Sequence, residues 1–158
     1  MNGSEHLAPG SADPSPRPDP PPLRLPSGER LRLAATVLLD WLRLRRALKK
    51  TPLPDLIRQL EPPEEGRVPL DPRRLGGIVH DVMNVGPFRP RCLIVSLVFL
   101  RSLYRQGTSA NLVIGLPPGA TNHIAHCWVE VDGEVVGPPD GRLGHVEIAR
   151  YGSSQRDE

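Results

Sequence analysis

The sequence predicts an α+β fold, with a helical amino-terminal layer and a central helix packed on a small antiparallel sheet. Apolar residues recur at helical spacing as far as Arg105, and beyond it two β runs are joined by an Asp-Gly pair. The chain is 38% apolar but only 4% aromatic, so Leu, Val and Ile must build the core, which suits helices on a sheet. Its 158 residues suffice for one ordinary domain.

Residues 1–27 read as a disordered tail, with eight of the 20 prolines lying before residue 27 and almost no apolar periodicity. The single domain is expected over 28–152, its helical part at 28–88 and its catalytic helix and sheet at 89–152. Residues 153–158 form a polar end. Ser27 is expected to cap a first helix from Glu29 to Lys50, with Leu31, Ala34, Val37, Leu38, Trp41, Leu42 and Leu48 on one stripe. The stretch "TPLP" breaks it, "LPDLIRQL" reads as a short second helix, and "EPPEEGRVP" is a polar connector. A third helix starts at Asp71, with Pro72 in its first helical position. A fourth runs from Cys92 to Arg105, so apolar that only Arg101 and Arg105 read as solvated. After the helix stop at Gly107, "SANLVIGL" reads as a strand and "PPGATNH" as a loop. "IAHCWVEV" and "EVVG" form a hairpin about Asp132-Gly133, and "RLGHVEIARYG" supplies a further short strand.

No run approaches the roughly 18 to 20 apolar residues of a membrane span, and no secretory signal opens the chain. A cytoplasmic protein is expected. Net charge is +2, and the basic residues of "RLRLAATVLLDWLRLRRALKK" lack the stacking aromatics of a nucleic-acid surface, so an acidic peptide or protein is the better match. Two cysteines make no disulfide framework.

Cys92 stands at the mouth of the apolar fourth helix, between Arg91 and Leu93. With Pro90 in the first turn, unsatisfied N–H groups and the positive helix end would favour a thiolate there, helped by Arg89 and Arg91. The same amides suit an oxyanion. A nucleophilic cysteine needs a base. His6 is in the tail, His80 within a helix and His145 near the carboxyl end, which leaves His123 on a loop and His126 on the hairpin strand. The strand residue is the more rigidly placed. Counting outward from the turn pairs His126 with Pro139, which puts Asp140 beside it as the candidate orienting carboxylate.

A helix opening with Cys, then His-x-Trp-Val-Glu and an Asp-Gly turn, resembles the transglutaminase-like cysteine-enzyme superfamily. Within it, "CLIVSLVFLRSLYRQGTSANLVIGL" and "AHCWVEVDGEVVG" look like the lasso-peptide biosynthesis B2 proteins, which are leader peptidases. The resemblance covers about residues 30 to 150 and implies a transglutaminase-like, papain-like fold. It places the nucleophile at Cys92 and the base at His126, and reaches Asp140 only with a small register shift. Cys127 stands where the family often has alanine. The implied reaction cuts a precursor peptide through an acyl-enzyme on Cys92, with no metal or cofactor on this chain. The implied partners are the precursor's leader, a separate leader-recognition protein and an ATP-using cyclase resembling asparagine synthetase.

Plainer roles stand beside each of these. Cys92 alone reads as readily as buried packing, His126 as a strand histidine, and Asp140 as part of a Pro-Pro-Asp-Gly turn. Cys127 alternates to the opposite face from His126 and reads as packing, whereas Trp128 shares the face of His126 and either walls the site or packs. Trp41 with Leu38 and Leu42 is a solvated helix edge or a docking face. An acyltransferase with the same Cys/His pair and a non-catalytic peptide-binding module are the competing functions.

Overall fold

The computed structural model describes residues 26–60, 70–85, 90–118, 125–137 and 144–152. The amino-terminal tail, the 61–69 connector, His123, Asp140 and the carboxyl end lie outside the described residues. Those described form helices α1 (Ser27–Ala47), α2 (Leu53–Gln59), α3 (Pro72–Met83) and α4 (Cys92–Arg105), then strands β1 (Asn111–Leu116), β2 (His126–Val131), β3 (Glu134–Val136) and β4 (Val146–Gly152). None of the described helices is long and apolar enough to cross a membrane.

Local signals account for most of the boundaries. Asp71 caps α3, its side chain accepting a hydrogen bond from the Arg74 amide at 3.1 Å, and Pro72 opens the helix without giving up a needed donor. Ser27 behaves differently from expectation. It is the first residue of α1, and Pro26 before it gives no side-chain cap. Likewise Pro90 stays outside α4; Arg91 is the extended residue at the helix mouth and Cys92 the first residue inside.

The seam of α1 is narrower than its apolar stripe. Val37, Asp40 and Leu44 are buried, while Leu31 is 73% exposed and Leu38 and Leu42 also face outward. Spacing alone misses this because the seam is centred on a charged residue. Asp40 has no exposed surface; Arg105 grips both of its carboxylate oxygens, one through a 2.8 Å hydrogen bond, and Arg101 approaches to 3.0 Å. The two arginines expected to be solvated thus tie α4 to α1, and the charge they carry is what lets a carboxylate sit inside.

Helix α4 is the centre of the molecule, in contact with α1, α3, β1 and β2. Leu97, Leu100 and Leu103 are fully enclosed, each such side chain contributing about 1.5–3 kcal/mol by leaving water. The sheet is antiparallel throughout, in the order β3-β2-β1-β4. Leu112 pairs with Val129, and Ile114 with Cys127, on the face that packs against the helices. Val113 with Trp128, and Gly115 with His126, lie on the other face.

Val131 pairs with Glu134 across the Asp132-Gly133 turn, as the sequence predicts, with both turn residues at positive φ as a type I′ hairpin requires. The ladder runs to Val129↔Val136. Gly137 then takes φ +88°, and a Cβ there would lie 2.7 Å from the Phe99 ring, so glycine serves both the bend and the close approach. The expected His126–Pro139 rung lies outside the described residues.

Candidate active site

The site is assembled where the start of α4 meets the start of β2. Cys92 is half-buried, with its Sγ 4.0 Å from the Ala125 carbonyl oxygen, just ahead of the strand. The Arg91 side chain makes no capping hydrogen bond at the helix mouth, which leaves the positive end of α4 available beside Cys92. Ser96, one turn along α4, donates to the Cys127 carbonyl at 3.2 Å and fixes helix to strand just behind the sulfur.

Two side chains of β2 reach Cys92. The Cys127 thiol is the main reason the Cys92 thiol is lowered to about 5; burial works against this, while the Cys127 backbone, then the His126 imidazole, add to it. Cys127 moves the opposite way, raised by the neighbouring Cys92, by burial and by the negative charge it faces. One proton therefore stays on the enclosed Cys127, and the half-buried Cys92 carries the negative charge. A thiolate near neutral pH, with an imidazole against it, is the equipment of nucleophilic acyl chemistry.

The structure brings Cys92 and His126 together. Cys127 packs in the core, where alternation along β2 puts it, and also bears on the nucleophile. Alternation does put its side chain and that of His126 on opposite faces. The sulfur, however, lies off the beginning of β2, where neighbours from both faces are within reach.

His145 is the residue that sequence reasoning passed over. Its ring centre lies 5.4 Å from that of His126 and 6.4 Å from that of Trp128. Gly115 makes the arrangement possible. It stands between His126 on β2 and Glu147 on β4, and an added Cβ would come within 2.6 Å of the Trp128 ring. The rest of the His-x-Trp-Val-Glu motif is a brace: the Trp128 indole donates to Glu130 at 2.9 Å, and Arg150 of β4 holds the other oxygen of that buried carboxylate at 2.9 Å. Trp128 thereby packs in place beside His145.

A family model described as the transglutaminase-like superfamily matches residues 31–150. The chain belongs to the transglutaminase-like superfamily. No curated protein and no solved structure gives a significant match. This transglutaminase-like domain has the expected α+β layers, and its superfamily, generally cysteine-dependent, includes both peptidases and acyltransferases. Among the described residues no cluster of three or more His, Cys, Asp or Glu side chains could hold a metal ion.

Proposed function

We propose that this protein is a cysteine peptidase that removes the leader from a ribosomally made lasso-peptide precursor. The observation that carries the reading is Cys92 at the mouth of α4 with its Sγ 4.0 Å from the carbonyl oxygen of Ala125, the residue before His126, and its thiol lowered in part by the His126 imidazole. The resemblance of "AHCWVEVDGEVVG" to the B2 proteins narrows the superfamily's range of reactions to this one. Cys92 attacks the scissile carbonyl while the amides at the start of α4 receive the oxyanion. Protonated His126 gives its proton to the departing amine, and water, deprotonated by the same imidazole, then releases the leader from the sulfur. Asp140 is the proposed orienting carboxylate of the imidazole. A separate leader-recognition protein presents the precursor, and a cyclase resembling asparagine synthetase, using ATP, takes the freed amino terminus.

The test is mass spectrometry of the co-encoded precursor incubated with this protein and its leader-recognition partner. Expected are two fragments whose masses sum to precursor plus one water, with cleavage abolished in Cys92→Ala and His126→Ala and lowered in Asp140→Ala. A product heavier by an amine acceptor would indicate acyl transfer instead. An intact precursor that still binds would sink the enzymatic reading.

A further inference from the structure

A groove of about 910 Å³ lies between the second half of α1, the end of α3 and the first turn of α4. Its floor and walls are apolar, formed by Leu38, Trp41, Leu48, Val82, Met83 and Leu93. Val85, at its edge, is 75% exposed and Leu38 is 46% exposed, so large apolar side chains here face water. The polar side chains lining it are all basic: Arg45, Lys49 and Arg91. Arg45 lies over the Trp41 ring, 5.4 Å from its centre, which holds charge and apolar surface together. Pro90 and Arg91, the two residues before Cys92, line the same groove.

We infer that this groove binds an acidic, leucine-rich segment of the peptide substrate and feeds the adjoining chain across Arg91 to Cys92. The inference rests on the peptidase reading and supplies its substrate class: an amphipathic segment whose apolar side chains enter between the helices and whose carboxylates meet Arg45, Lys49 and Arg91. An apolar channel between helices suits a helix laid into it, with charge setting orientation and partner choice. Continuity with the mouth of α4 favours the substrate over any other protein, because Pro90 and Arg91 carry the groove to the residue next to the nucleophile.

The probe is a fluorescein-labelled peptide built of alternating pairs of leucine and glutamate, long enough for about three helical turns. Its control carries lysine in place of glutamate. Fluorescence anisotropy with the catalytically inactive Cys92→Ala protein should show binding of the acidic peptide only, weakening as salt is raised. The double variant Arg45→Glu, Lys49→Glu should weaken it by about tenfold or more. Leu38→Glu, at an exposed helix position outside the buried seam of α1, should do the same. In the wild-type protein the acidic peptide should slow alkylation of Cys92 by iodoacetamide. No binding, equal binding of the lysine peptide, or indifference to both variants would overturn the inference. So would binding that leaves alkylation unchanged, which would assign the groove to another protein, or a dimer that Leu38→Glu disperses, which would assign it to a second copy. Slow alkylation of Cys92 without any peptide would count against the peptidase reading while leaving the binding result intact, so the two failures are distinguishable.

Discussion

The Cys127 thiol is the largest influence lowering the Cys92 thiol, although one lies on a strand and the other opens a helix. This makes a core residue part of the nucleophile's electrostatic environment. In Cys127→Ala the donor is gone, and the pH midpoint of Cys92 alkylation should rise from about 5 by about one unit or more, the worth of one hydrogen bond to a charged group. Cys127→Ser keeps a donor and should move it less. Iodoacetamide rates across pH, read for Cys92 by peptide mass, would show this; identical midpoints in all three proteins would remove Cys127 from the site.

The same pair should shape stability against pH. Unfolded, both thiols titrate near 8.5. Between about 5 and 8.5 the unfolded chain holds a proton on Cys92 that the folded chain has lost, so this contribution to stability rises with pH. Above the unfolded value the folded chain alone keeps a proton, on Cys127, and the trend reverses. Melting under reducing conditions should therefore give a wild-type-minus-Cys92→Ala difference that grows across that window. A difference that is flat with pH would contradict it.

Removing the carboxylate of Asp40 should loosen α1 from α4. Asp40→Ala strands Arg101 and Arg105, but each is about a third exposed and can turn to water, so the loss should be about 2 kcal/mol rather than the larger cost of a fully enclosed orphan charge. Urea unfolding would measure it. A loss below about 0.5 kcal/mol would mean the cluster is no more than a surface ion pair.

Gly115→Ala tests the slot between β2 and β4. A methyl group there meets the Trp128 ring at 2.6 Å and the Val146 carbonyl oxygen at 3.0 Å, so the indole must move, at about 1–3 kcal/mol. Because Trp128 lies beside His145, and His145 beside His126, kcat should fall while substrate binding changes little. An unchanged kcat would mean the indole does not hold the imidazole in place.

Much of the architecture was legible because its signals are local. Asp71-Pro72 announces α3, and the Asp132-Gly133 turn sets the register of β2 on β3. Cys92 and His126 could be read as partners because each opens an element, and the resemblance links the two openings. The remainder depends on contacts between distant positions. Asp40 finds Arg105 across 65 residues, which a spacing pattern on α1 cannot register, so the buried seam does not follow the leucine stripe. Nothing near His145 announces that β4 pairs with β1 opposite a glycine, yet that pairing brings its ring to His126. Alternation along β2 accounts for the packing of Cys127, but its bearing on Cys92 depends on where α4 begins.

Helix α4 is enclosed on nearly every side, with nine of its 14 residues buried. Amide protons at Leu97, Val98 and Leu100 should accordingly exchange with deuterium only when the whole molecule unfolds, whereas the exposed start of α1 should exchange through fraying. The nucleophile is mounted at the end of the slowest-opening segment. The attacking sulfur is therefore anchored through α4 to the core itself.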